Sequence, residues 1–226
     1  MNAGEKLESV APIPLQPDDV KALVHCYDSE TIALNELKVA IRTAQTRVWQ
    51  TLCPYCAIDT PSAFDHYLCR ANFPEFSVLS DNLVPACSVC NTKKGNRELD
   101  GGRRRFIHFY VDEIPDSRWL NCRIVVDGNE PAALFDVSFS ANVPLRAREI
   151  IAAHYQRLEL PGRYGEKAVQ VLRSAVLTGQ RYSLDDYARL FANKSAKLGE
   201  EYGDNYWESR LYDAMSQSEP FLGLLR

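Results

Sequence analysis

Apolar positions along this chain change period several times, and each change marks an element. After a Pro-rich, polar arm over residues 1–18, apolar residues recur at helical spacing over 17–26 and again over 29–52, where Ile32, Leu34, Leu37, Ile41 and Val48 follow a cap at Ser29. That period breaks over residues 53–96, where the pattern predicts a short strand at 63–67, a second strand or turn near 82–85 and a short helix at 91–94. Alternating β-branched and aromatic residues predict strands over 105–111, 122–126 and 133–139, with Asp127-Gly128-Asn129 as a hairpin turn. Beyond Pro144 the helical period returns, first with Leu145, Ile150, Ile151, Tyr155 and Leu158, then over 166–177. Ser183 and Asp186 form a capping-box variant ahead of a helix to about Leu198, and a last helix spans 206–215. The expected class is α+β, with a flexible arm over 1–18, helices plus a compact module over 19–105, a small β insertion over 106–143 and a helical region over 144–226.

Composition narrows the setting. The 226 residues are 46% apolar, as in ordinary globular proteins, and no apolar run approaches the roughly 20 residues that span a bilayer. The first residues lack the apolar core of a signal peptide, so the expected location is cytoplasmic, with no membrane partner. A net charge of −4 argues against a protein that coats nucleic acid unaided, yet Lys93, Lys94, Arg97, Arg103, Arg104 and Arg105 make a local cationic surplus. The aromatic-rich tail, with Tyr202, Tyr206, Trp207, Tyr212 and Phe221, is expected to be core, the alternative being a partner-binding surface.

Seven cysteines, an odd number, include two Cys-x-x-Cys pairs, Cys53/Cys56 and Cys87/Cys90. Thiolates with two residues between them turn onto one tetrahedral Zn²⁺, and two such pairs close a structural site with no open position. Cys26, Cys69 and Cys122 are expected to be small buried hydrophobes, and His25, His108 and His154 to be structural. Between the pairs lie Asp65 and His66, and the second pair runs directly into Asn91. Phosphodiester cleavage needs a nucleophilic water, a group to take its proton and a positive centre for the developing charge. His66 suits the proton, and Asp65 and Asn91 offer hard oxygens to Mg²⁺ or Mn²⁺.

The segments Cys53-Pro54-Tyr55-Cys56, Asp65-His66-Tyr67-Leu68 and Asp81-Asn82-Leu83-Val84-Pro85-Ala86-Cys87-Ser88-Val89-Cys90-Asn91-Thr92-Lys93-Lys94-Gly95-Asn96 together resemble the HNH endonuclease family. The resemblance covers roughly a fifth of the chain and implies a ββα-metal module with zinc-stapled knuckles, flanked by N-terminal helices and a helical C-terminal region. It implies His66 as general base, Asp65 and Asn91 as ligands of the catalytic ion, and Asn82 as the central Asn that secures the loop. Lys93, Lys94, Arg70 and Arg97 are then expected at substrate phosphates. Many relatives carry Pro shortly after the Asp-His pair, where this chain has Cys69-Arg70.

Phe73-Pro74-Glu75-Phe76-Ser77 and the Trp119 segment resemble, more weakly, the nucleases that accompany an ATPase in Septu-type and retron-linked anti-phage systems. The expected function is a DNA endonuclease with an ATPase partner; the alternative is a noncatalytic zinc module that binds DNA or protein. Either way, Asp65→Ala is expected to leave the fold intact.

Overall fold

The structure is a computed structural model that describes residues 7–97, 99–179 and 183–226. The chain is mixed α/β and divides into two compact units: residues up to Ile114 with Glu149–Leu158, and Pro115–Arg148 with Glu159–Arg226.

In the first unit, helices α1 (Pro17–Asp28), α2 (Ile32–Ala44) and α3 (Arg47–Thr51) precede an antiparallel pair, β1 (Ala63–His66) and β2 (Leu83–Ala86), and helix α4 (Ser88–Lys94). The register pairs Asp65 with Val84 and His66 with Leu83. Phe64 and Leu83 join Ile41 of α2 in one buried cluster, so the helix that carries Ile41 is packed on the strand pair.

The single helix expected over 29–52 is two helices, α2 and α3. Ser29 closes α1, the Thr31 hydroxyl accepts the Leu34 N–H as the cap of α2, and Gln45 is extended. With this phase Leu34 and Ile41 are buried, whereas Ile32 is 79% exposed. The arm expected to be flexible is tied down where it is described: Ile13 N–H donates to Glu75 Oε1 at 3.0 Å and Glu8 Oε1 accepts from Arg104 N–H at 2.8 Å. Residues 1–6 of that expectation lie outside the described residues.

The strand expected over 105–111 does not form. Ile107 N–H donates to His154 Nδ1 and His108 N–H to Asp112 Oδ2, so side chains take the donors that a neighbouring strand would have used. The alternation there records a buried loop, in which Phe106, Ile107 and His108 are all within 3% of full burial. A two-residue hairpin instead joins β3 (Leu99–Asp100) to β4 (Arg103–Arg104), with Gly101 and Gly102 at φ +59° and +75°. Two consecutive left-handed residues are what a tight hairpin turn demands and what glycine supplies.

In the second unit, β5 (Leu120–Asp127) and β6 (Glu130–Val137) pair around Gly128, at φ +57°. Helix α6 (Leu160–Thr178) packs on β6, α8 (Trp207–Gln217) on β5, and α7 (Leu184–Tyr202) on α8; α9 (Glu219–Gly223) ends the unit. Asn205 Oδ1 accepts from Trp119 and Leu120 N–H, and Tyr164 stacks on Trp207 at 6.0 Å. The hairpin is therefore the sheet of this unit, not a separate insertion. Trp207, Tyr212 and Phe221 are buried, as expected of a core. Helix α5 (Leu145–Arg157), expected to belong to the C-terminal helical region, lies in the first unit from Glu149 onward. No helix among the described residues is long and apolar enough to cross a membrane.

Candidate functional site

Four cysteines meet where two backbone turns converge. The first turn closes with Cys56 and Ala57 N–H on the Cys53 carbonyl, Ala57 taking a left-handed φ of +51°. The second is the start of α4, where Cys87 is the N-cap and its sulfur accepts the Cys90 N–H. All four sulfurs lie within 4.8 Å of one another and all four residues are buried. Cys56 and Cys87 Sγ stand 3.9 Å apart; thiolates on zinc bonds of 2.3 Å would stand about 3.8 Å apart at tetrahedral angles. Hydrogen bonds from Cys53, Cys56 and Cys90 hold the Cys87 thiol far below its ordinary range, and the same crowding pushes Cys90 far above. Four sulfurs this close cannot all ionise without a cation among them, so the cluster suits a structural Zn²⁺. Of the remaining cysteines, Cys69 is buried, Cys122 is half-buried and Cys26 is exposed, the last because α1 buries none of its residues.

Two histidines are buried in this unit, one of them bonded to the first cysteine turn. His154 on α5 donates from Nε2 to the Tyr55 carbonyl inside the first turn (2.8 Å) and accepts Ile107 N–H at Nδ1. His108 packs on Tyr67 with ring centroids 4.2 Å apart. Burial pushes both imidazoles down to about 4, so between that value and the unfolded value of about 6.5 the unfolded chain holds protons that the native one does not. Stability should be flat above pH 7 and fall as pH drops, by about 1 kcal/mol per histidine between pH 7.5 and 5.5. Urea midpoints measured across that window on zinc-loaded protein check this; a constant midpoint would remove the neutral-histidine assignment.

Asp65 is 3% exposed and Lys94 is fully buried. Lys94 Nζ donates to Asp65 Oδ1 (3.1 Å) and to the His66 carbonyl (2.8 Å) and lies 3.0 Å from Asp65 Oδ2, which also accepts the Tyr55 hydroxyl at 2.7 Å. This corrects two expectations. Lys94 is an internal counter-ion and cannot reach a substrate phosphate, and Asp65→Ala would leave a buried ammonium without its partner. Breaking such a pair costs about 3–5 kcal/mol. We expect that loss for Asp65→Ala or Lys94→Met in chemical denaturation, and a substantial recovery in Asp65→Asn/Lys94→Met; additive losses in the double variant would show that the pair is not coupled. Asp65 Oδ1 keeps one lone pair beyond its bond to Lys94.

His66 is half-buried and its Nε2 lies 2.9 Å from the Ser77 carbonyl. A carbonyl only accepts, so Nε2 carries the proton and Nδ1 is left as a bare base. Burial lowers the imidazole below its ordinary range, against the Ser77 carbonyl, which favours the neutral form at pH 7. Ser77 follows the 3₁₀ turn Pro74–Phe76, and Asn82 holds that loop: its side chain accepts Leu68 N–H at 2.7 Å and donates to the Leu68 and Phe76 carbonyls. Asn82 is buried and acts on loop geometry alone, fixing the chain after His66 where this sequence has no proline.

Asp65, His66, Asn91 and Arg70 all line one cleft of about 800 Å³. Arg70 is paired with Asp28, and Arg97 is exposed and donates to the Lys93 carbonyl at 3.1 Å; Lys93 and Arg97 are outside the cleft lining. Arg104, in the basic run, is buried and held by both oxygens of Asp112 at 2.9 and 2.7 Å, so it too is spent inside the unit. The cleft is also lined by residues that no motif in the sequence marks: Tyr27 of α1 and Asn35, Lys38 and Arg42 of α2. Tyr27 meets the His66 ring edge-on at 4.4 Å. Their only signal in the sequence is the 35, 38, 42 spacing, one polar face of a helix.

Together these features define a four-cysteine module suited to zinc beside a cleft that holds a base, hard oxygens and cations. Among curated proteins, the chain is similar to protein ea31 of Escherichia phage lambda, 30% identical over 188 residues, which are 75% of this chain and 62% of that protein. The chain thus spans less than two thirds of the length of that relative. No family model and no solved structure matches it.

Proposed function

We propose that this chain is a metal-dependent endonuclease of the HNH type that hydrolyses DNA phosphodiester bonds. The observation that carries the reading is the bare Nδ1 of His66, produced by the Nε2 bond to Ser77, in a cleft shared with Asp65 and Asn91. The order of two antiparallel strands followed by a helix, with His66 ending the first strand and Asn91 on the helix, supports it. The remaining lone pair of Asp65 and the Asn91 carboxamide are a small hard-oxygen set of the kind Mg²⁺ or Mn²⁺ accepts while keeping several waters. Such an ion supplies positive charge for the phosphate and the leaving oxygen. His66 takes the proton of the attacking water at Nδ1, and Arg70 lies in the same cleft to meet the substrate phosphate. Lys94 and Tyr55 hold the Asp65 carboxylate in place.

An ATPase partner and a role in anti-phage defence belong to this proposal on the resemblance of the flanking segments. A second reading, a noncatalytic zinc module, draws on the full engagement of Asp65 Oδ2 by Tyr55 and Lys94. Supercoiled plasmid incubated with Mg²⁺ or Mn²⁺, with and without the protein encoded beside it, separates the two. Nicked or linear product supports the nuclease; plasmid that is bound but never cut supports the second reading.

A further inference from the structure

We infer that the face of α2 bearing Asn35, Lys38 and Arg42 is a phosphate-binding wall that grips the DNA backbone in the cleft it shares with His66. The inference rests on the nuclease reading for its choice of ligand, but its observations are separate. Asn35, Lys38 and Arg42 recur every three to four residues, so one helical face presents all three, and all three line the cleft.

The charge of that wall is not neutralised. Lys38 Nζ rests 4.4 Å from the centre of the Tyr27 ring and the Arg42 guanidinium 5.0 Å from that of Phe64. Neither forms an ion pair among the described residues. Aromatic faces hold a cation in position without cancelling its charge. Arg70, the third cation of the cleft, also lies over Tyr27, at 5.5 Å. Asp65 is the single carboxylate among the lining residues, and Lys94 already offsets it. In a chain of net charge −4, a cleft whose Lys38 and Arg42 carry no ion pair, whose Arg70 is offset by Asp28 and whose one carboxylate is offset by Lys94 is a local attractor for polyanions, and concave walls concentrate that field. Tyr27 ties the wall to the chemistry, since its ring touches His66 while carrying Lys38 and Arg70. A strand gripped there has a phosphate delivered to the base.

The test is binding of a labelled DNA duplex, without divalent ions, by fluorescence anisotropy over a range of salt concentrations. Both the unaltered chain and the His66→Ala variant are compared with Lys38→Gln/Arg42→Gln, and Lys21→Gln/Lys197→Gln serves as a charge-matched control. The wall variant should bind about tenfold more weakly near 0.1 M salt, and its log–log salt slope should flatten by nearly 2, the loss of two phosphate contacts. The control should lose far less, and the wall variant should still show a cooperative thermal transition. Unchanged affinity and slope in the wall variant, or a loss equal to that of the control, would overturn the inference even if plasmid is cut. Conversely, a full effect on binding with no cutting under any metal would retain the wall and reject the nuclease.

Discussion

His66→Ala should lower plasmid cleavage by roughly 10²–10⁴-fold, the usual loss when a positioned proton acceptor is removed, while zinc content and DNA affinity stay unchanged. The expectation comes from geometry. With Nε2 anchored on a backbone carbonyl that no substitution of Ser77 can delete, the ring has one orientation and one free nitrogen. Alanine removes that nitrogen together with the edge contact to Tyr27, a half-buried contact whose loss costs about 1 kcal/mol, too little to unfold a domain. Added imidazole should restore part of the rate by supplying a free base. Equal cutting by variant and unaltered chain would remove His66 from the chemistry. His66 is a cleaner probe than Asp65, because Asp65 cannot be altered without exposing the Lys94 charge to an apolar interior.

Removing the metal of the four-cysteine cluster should unfold the first unit. Structural zinc contributes on the order of 10 kcal/mol of folding free energy, which rivals the entire stability of an ordinary domain, about 5–15 kcal/mol. The cluster also sets the working parts: Cys53 and Cys56 flank Tyr55, whose hydroxyl binds Asp65, and Cys87 and Cys90 begin the helix that carries Asn91 and Lys94. Elemental analysis should find one zinc per chain. Chelation or Cys87→Ser should abolish the cooperative thermal transition of this unit, whereas Cys26→Ser, at an exposed position outside the cluster, should change neither zinc content nor melting. A metal-free protein with an unchanged melting curve would show that the cluster is not structural.

Much of the site was legible because it is local. Cys-x-x-Cys spacing places two thiolates on one side of a turn whatever surrounds them, and the four sulfurs do converge. Asn82 as a loop-securing residue followed from the motif, and its three bonds to the backbone of Leu68 and Phe76 show how it secures the loop. The capping pair Ser183 and Asp186 was equally local, and the Ser183 hydroxyl accepts the Asp186 N–H.

What failed to show was long-range. Lys93 and Lys94 are neighbours of the same chemical type, yet Lys94 points inward onto Asp65 across 29 residues of chain and is fully buried. The alternation over 105–111 suited a strand, but His154 and Asp112 took its donors. Nothing in the sequence sets Lys38 and Arg42 apart from other surface cations; they line the cleft because α2 is packed against β1 through Ile41 and Phe64. By itself the sequence determined the four cysteines suited to zinc, the helical and hairpin segments whose caps and turns are local, and the residue types available for chemistry. The tertiary structure decided which charges are consumed inside and which face the cleft, because burial and pairing depend on what distant segments bring to the same place.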